Sequence, residues 1–136
     1  WLLGLAYAAL GQIEEGLTEL RQAAELSGDL PWMVATMGCV LAQAGRLDET
    51  RAVVADLGRR SGSEYVKAFL FAMLHAFLGE EKTALVWLEK AREEGDLSLV
   101  YMPTDGVAFM GNGIPAPYLS AANRAAFVER LGIILE

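Results

Sequence analysis

The stretch "LGLAYAALGQIEEGL", residues 3–17, decides the fold because it recurs twice further along the chain. The two later copies are "MGCVLAQAGRLDETR" at residues 37–51 and "FAMLHAFLGEEKTAL" at residues 71–85. Each copy therefore starts 34 residues after the one before it. A fixed period of this length is typical of proteins built from stacked structural repeats.

Several columns of the sequence keep the same register around a shared glycine, which is Gly11, Gly45 or Gly79. The equivalent positions hold residues of one kind, either apolar or small. They are Leu3, Met37 and Phe71; Gly4, Gly38 and Ala72; Leu20, Val54 and Leu88; and Ala23, Leu57 and Ala91. A shared pattern of this kind predicts that the three units fold alike.

Each unit is predicted to be a helical hairpin, because apolar residues recur three or four apart on both sides of the glycine. The glycine closes the first helix by adopting a left-handed conformation. Acidic residues such as Glu14 and Glu15 then stabilise the second helix, because they lie at its N-terminus, where the helix dipole is positive. Pro31 suits the first turn of the third predicted helix, whereas Gly58 weakens the interior of the fourth. The predicted helices are 1–10, 13–27, 31–44, 47–60, 64–78 and 81–94.

Composition limits the classes of function. The chain has 136 residues, enough for one domain, and a net charge of −7 without clusters of Lys and Arg, which argues against nucleic-acid binding. No apolar run approaches the ~20 residues of a membrane helix. The single cysteine, Cys39, forms no intrachain disulfide, so we expect a cytoplasmic protein. Because the chain starts at Trp1 inside a predicted helix, we also expect it to be part of a longer protein.

The pattern changes after the third unit. Three glycines and three prolines fall between positions 102 and 117 and break any helix there. An irregular loop and a short strand hairpin are the two alternatives for this region. Helical periodicity then resumes, with Ser120 as a candidate N-cap. The predicted organisation is three repeats over 1–96, a loop over 97–117 and a capping helix over 118–136.

The repeat resembles the tetratricopeptide repeat family. The first unit carries the resemblance through Leu3, Gly4, Tyr7, Gly11, Leu20 and Ala23. It departs from the family at Gly16, where alanine is usual, and the third unit has His75 in place of the tyrosine. The segment 78–101 resembles the end of the helical repeats attached to the C-termini of bacterial signalling kinases, cyclases and transcriptional regulators. The resemblance implies an all-α fold, in which three helical hairpins form a right-handed stack.

In that family the first helices line a concave groove, and the resemblance implies a partner-binding surface at the matching positions. These positions are Trp1, Leu5, Trp32, Cys39, Gln43, Phe69, Met73 and Phe77. The wall is almost entirely apolar and lacks the Lys, Arg and Asn of repeat domains that capture a terminal carboxylate. The alternative is that part of this stripe is core, covered by the chain's own C-terminal segment.

Residues suited to catalysis or metal binding are few. His75 is the only histidine and has no companion ligands at metal-binding spacing, so we expect an interior or groove position for it. Cys39 lies in an apolar stretch, where a thiol tends to be inert. We therefore predict no catalytic residue, no metal and no cofactor, and we expect that the chain is not an enzyme.

These observations predict a protein-interaction or regulatory module, part of a larger bacterial signalling protein. The alternative is a carrier that holds a lipid-like or other apolar ligand in the groove. The expected partners are a protein or peptide, the chain's own C-terminal segment, or a second copy that contacts the face beside Trp1. We predict neither nucleic-acid binding nor a membrane span.

Overall fold

The computed structural model describes residues 1–97, 99 and 129, and within them it contains six α-helices and no strand. The helices are α1 (Leu2–Ala9), α2 (Ile13–Leu26), α3 (Pro31–Gln43), α4 (Leu47–Arg60), α5 (Ala68–Phe77) and α6 (Glu81–Glu93). The predicted all-α class is confirmed for this part of the chain. Pro31 is the first residue of α3, as its missing N–H favours.

The 34-residue register of the sequence reappears in the helix boundaries. The first helix of each pair ends at Ala9, Gln43 or Phe77, and the second helix begins at Ile13, Leu47 or Glu81. The three turns between them contain Gly11, Gly45 and Gly79, whose φ angles are 80°, 78° and 78°. These angles lie in the left-handed region, which glycine adopts without the steric cost of a Cβ.

All three turns close their first helix with the same pair of backbone hydrogen bonds. In the first turn the Gln12 N–H donates to the Tyr7 carbonyl at 2.9 Å, and the Gly11 N–H donates to the Ala8 carbonyl at 3.0 Å. Equivalent bonds form in the turns at Gly45 and Gly79. This is the Schellman arrangement, which satisfies carbonyls left open at a helix end. The repeated sequence pattern thus encodes a repeated turn geometry.

The fifth helix begins at Ala68, four residues later than the sequence predicted. The Arg60 guanidinium binds the Glu64 carboxylate and donates to the Asp29 carbonyl at 2.6 Å. The Glu64 N–H also donates to the Arg60 carbonyl. These bonds fasten residue 64 to the end of α4. The expected helix start at this position was therefore wrong.

The helices pack in sequence order as three pairs, α1 with α2, α3 with α4 and α5 with α6. In addition, α3 contacts α2 and α5, and α5 contacts α4. In the first pair Gly4 and Gly16 lie where the two helices cross. In the second pair the Thr50 hydroxyl donates to the Gly38 carbonyl across the crossing at 3.1 Å, so the two helices are joined by a buried hydrogen bond.

The apolar core is concentrated in α3 and α5. Eight of the ten residues of α5 are buried, whereas α2 and α4 each keep a charged outer face. The most completely buried large side chains include Leu5, Leu17, Leu20, Leu57, Met73 and Leu74. Residues from all three helix pairs belong to one core cluster, and α3 and α5 contact each other within it.

The predicted loop over 97–117 and capping helix over 118–136 lie outside the described residues, apart from three positions. Leu97 and Leu99 belong to a short helical turn after α6, and Glu129 is helical and exposed. The proposed covering of the groove by the C-terminal segment lies outside the described residues as well. None of the helices in the described part of the chain has the length and apolar character needed to span a bilayer.

Candidate functional site

The eight residues predicted to line a groove all belong to the first helices of the three pairs or directly precede them. We refer to this set as the first-helix wall. Trp1 precedes α1 and Leu5 lies within it; Trp32, Cys39 and Gln43 lie on α3; and Phe69, Met73 and Phe77 lie on α5. Trp1 packs against Trp32 of α3, and α3 contacts α5, so the set includes residues from all three helix pairs.

Half of the first-helix wall is buried. Leu5 and Cys39 have no exposed surface, and Phe69 and Met73 are 3% and 2% exposed. All four belong to the main apolar core cluster. Their side chains therefore contribute to folding, because each removes a large apolar area from water. In this conformation they offer no surface to a partner.

The accessible half of the first-helix wall is mainly aromatic. Trp1 and Trp32 are half-buried, and their ring centroids lie 5.2 Å apart with the ring planes at 73°. This edge-to-face geometry is one of the two arrangements that aromatic pairs favour. Phe77 is also half-buried and Gln43 is exposed. The four residues combine apolar rings with one amide group.

The buried position of Cys39 determines its chemistry. Burial raises the pKa of the Cys39 thiol far above its ordinary value, because no thiolate is stable away from water there. The thiolate is the nucleophilic form of cysteine. Cys39 is therefore held as a neutral, inert thiol.

His75 participates in a small charged cluster that joins three helices. Its Nδ1 lies 3.2 Å from Glu80 Oε2 at the start of α6. The Arg51 guanidinium of α4 binds the other oxygen of the same carboxylate. Hydrogen bonds from Arg51 and then from His75 hold the pKa of Glu80 below its ordinary value of 4.5. The cluster ties α4, α5 and α6 together.

A second ion pair joins the first two helix pairs in a similar way. Arg46, directly before α4, binds the Glu14 carboxylate of α2 at 2.7 Å and the Glu49 carboxylate at 2.6 Å. Sequence reasoning did not predict these links between units. The signal in the sequence was an arginine next to or shortly after the turn glycine of one unit, together with an acidic residue near the turn of a neighbouring unit.

Removing the Glu80 carboxylate should lower stability in a pH-dependent way. Because the folded protein lowers the pKa of Glu80, its contribution is fully present above the unfolded-state pKa and disappears as the pH falls through the folded-state pKa. We expect Glu80→Gln to reduce the free energy of unfolding by about 0.2–1 kcal/mol at neutral pH. The difference from the parent protein should vanish at strongly acidic pH.

Urea unfolding at a series of pH values measures this effect. Glu15→Gln is the matched control, since Glu15 is an exposed carboxylate in the first turn of α2. Both variants lose a negative charge at a helix N-terminus, but only the Glu80 variant loses the bonds to Arg51 and His75. Equal losses in the two variants would contradict a role for the cluster.

An acidic cleft of about 390 Å³ lies between α1 and α2. It is lined by Tyr7, Glu14, Glu15, Thr18 and Glu19. Within the described residues, no group of three or more His, Cys, Asp and Glu side chains is placed to hold a metal ion. The cleft therefore has acidic character without a metal-binding arrangement in that part of the chain.

Comparison with protein-family models, with curated proteins and with solved structures found no match to the chain. The geometry of the chain itself is therefore what points to a function. Its most informative features are the repeated helix pairs, the accessible aromatic residues of the first-helix wall and the exposed surface of α1.

Proposed function

We propose that the chain is a protein-interaction module in which three tetratricopeptide-like hairpins form a right-handed, curved stack. The identical Schellman turns at Gly11, Gly45 and Gly79 support this proposal. Contacts of α3 with both α2 and α5 support it further, because they join successive hairpins. A stack of repeats presents a long surface with few enclosed sites, which favours binding of another chain over catalysis.

The partner is proposed to bind the accessible half of the first-helix wall, and the Trp1–Trp32 pair is the observation that carries this assignment. Tryptophan is enriched among the residues that dominate binding energy at interfaces. Here two tryptophans are packed together and retain accessible ring surface. Phe77 extends the apolar surface, and Gln43 adds an exposed amide-bearing side chain to the wall.

The chemistry of the wall defines the class of partner. Its accessible residues are uncharged, so the expected ligand is a peptide segment with apolar side chains rather than a charged terminus. The resemblance of the sequence to repeats of bacterial signalling proteins supports a regulatory role within a larger cytoplasmic protein. The inert thiol of Cys39 is consistent with a role in packing, and the proposal assigns no catalytic step to the chain.

A carrier for a lipid-like ligand is the less favoured alternative. Such a carrier needs a continuous apolar lining, yet Leu5, Cys39, Phe69 and Met73 are already packed in the core. Native mass spectrometry of the purified chain distinguishes the two functions. We expect the mass of the protein alone, whereas a retained lipid adduct would support the carrier.

Site-specific photo-crosslinking in the producing cells tests the binding surface. A photoreactive residue is introduced at Gln43 in the first-helix wall or, as the matched control, at Gln22, which is exposed on α2. We expect a discrete protein adduct from position 43 and none from position 22. Adducts from position 22 alone, or from neither position, would contradict the assigned surface.

A further inference from the structure

The connection from α2 to α3 contains an unusual backbone conformation at Asp29. The φ angle of Asp29 is 55°, which lies in the left-handed region that glycine adopts easily and most other residues avoid. Among the described residues, Asp29 is the one residue other than glycine with a positive φ. Such a conformation costs free energy and persists only where the surrounding structure holds it.

A comparison with the three hairpin turns shows that Asp29 departs from the repeated pattern. As in those turns, α2 ends in a Schellman arrangement: Gly28 has a φ of 72°, and the Asp29 N–H donates to the Ala24 carbonyl at 2.8 Å. The residues that follow the turn glycines all have negative φ angles. They are Gln12 at −85°, Arg46 at −85° and Glu80 at −92°. The Schellman arrangement therefore does not require a positive φ at Asp29, and the contact that holds it lies elsewhere.

Arg60, at the end of α4, supplies this contact. Its Nη2 donates to the Asp29 carbonyl at 2.6 Å, while its Nε binds the Glu64 carboxylate and its Nη1 lies 3.8 Å from Asp56 Oδ2. Because the two carboxylates orient the guanidinium, its remaining donor is directed at the carbonyl. Hydrogen bonds from a charged donor are stronger than those between neutral groups. Arg60 is therefore suited to hold Asp29 in its strained conformation.

The third hairpin has a contact at the corresponding place. Glu94, which stands 34 residues after Arg60, lies at the end of α6 and accepts a hydrogen bond from the Tyr65 hydroxyl at 3.4 Å. Tyr65 belongs to the connection that leads into α5. In both hairpins the end of the second helix thus bonds to the segment before the first helix. The contact recurs with different side chains, which indicates a common role in placing the first helix.

Asp29 leads directly into the part of α3 that carries Trp32. Leu30 is the N-cap of α3, Pro31 is its first residue and Trp32 is its second. The N–H groups in the first turn of a helix have no intrahelical partners, so the position of this turn depends on the segment before it. The Trp32 ring packs on Trp1 with the ring centroids 5.2 Å apart. The conformation of Asp29 consequently affects how the two rings meet.

We propose that Arg60 is a positioning residue for the Trp1–Trp32 pair. Its bond to the Asp29 carbonyl holds the α2–α3 connection in the conformation that directs Trp32 onto Trp1. Arg60 belongs to α4 and not to the first-helix wall, so it acts through the backbone of Asp29. Its functional consequence rests on the proposed function, in which the tryptophan pair binds the partner. Arg60 would then control the shape of the binding surface from a neighbouring helix.

Tryptophan fluorescence tests this role without a partner. The chain has three tryptophans, and Trp87→Phe removes the third while it keeps a ring that can stack on Phe71. In this background we expect Arg60→Met to shift the emission maximum to longer wavelength and to increase quenching by acrylamide, because water reaches the separated rings. Arg59→Met is the matched control, since it removes a neighbouring arginine whose side chain is 72% exposed. It should leave both signals unchanged.

Two further variants distinguish positioning of the pair from general support of the fold. Glu64→Gln weakens the other bond of Arg60 and leaves the bond to the Asp29 carbonyl, so the tryptophan signals should stay at the parent values. Asp29→Gly combined with Arg60→Met should restore the parent signals, because glycine adopts a positive φ without steric cost. Circular dichroism shows whether the helices are retained in each variant.

Three results would each overturn the role of Arg60. The first is a folded Arg60→Met protein with the parent emission and quenching. The second is an equally large change in Glu64→Gln, and the third is a failure of Asp29→Gly to restore the signals. Crosslinking from Gln43 depends on the partner, whereas these measurements do not. Failure of the positioning role is therefore distinguishable from failure of the proposed function.

Discussion

Leu74→Ala is expected to lower the free energy of unfolding by about 2–5 kcal/mol. Leu74 has no exposed surface and lies where α5 packs on Gly38 of α3. Truncation removes apolar contacts and leaves a cavity. Because Gly38 has no side chain that could move into the space, we expect a value in the upper part of the range.

Urea unfolding followed by circular dichroism measures the loss, provided that the slope of the transition is unchanged. Leu26→Ala is the matched control, since it makes the same change at a helical leucine that is 83% exposed. The control should change the free energy of unfolding by no more than about 0.5 kcal/mol. Similar values for the two variants would mean that Leu74 does not join the second and third hairpins.

The turns were the most predictable part of the fold. A glycine with positive φ and the helix end before it are local features, determined by a few neighbouring residues. Five of the six helices accordingly start within one residue of their predicted positions. The start of α5 was missed because Arg60 of α4 holds Glu64 and the Asp29 carbonyl, and contacts between distant segments leave no local pattern.

The candidate site was predictable to a smaller extent. The sequence pattern placed Trp1, Trp32 and Phe77 on the same kind of helix as Leu5 and Met73, but apolar periodicity is the same for a core stripe and for an open wall. Burial separates the two groups, and burial depends on how neighbouring hairpins pack.

Gly16→Ala is expected to lower the free energy of unfolding by about 1–3 kcal/mol, despite the better helix propensity of alanine. A Cβ at Gly16 would lie 2.8 Å from the Gly4 carbonyl oxygen and 3.1 Å from the Ala8 nitrogen. Both atoms belong to the backbone of α1, so a side-chain rotation cannot relieve the overlap. The helices of the first hairpin must separate, which weakens the packing of Leu20 against Gly4.

Gly58→Ala is the control for this prediction, because it makes the same chemical change inside another helix of the same chain. No heavy atom lies within 4 Å of a Cβ placed at Gly58, so only the backbone preference changes. We expect this variant to raise the free energy of unfolding by about 0.5–1 kcal/mol. Urea titrations of the two variants should therefore show shifts of opposite sign. If Gly16→Ala raised the free energy of unfolding as much as Gly58→Ala, α1 and α2 would not approach each other as closely at Gly16 as described.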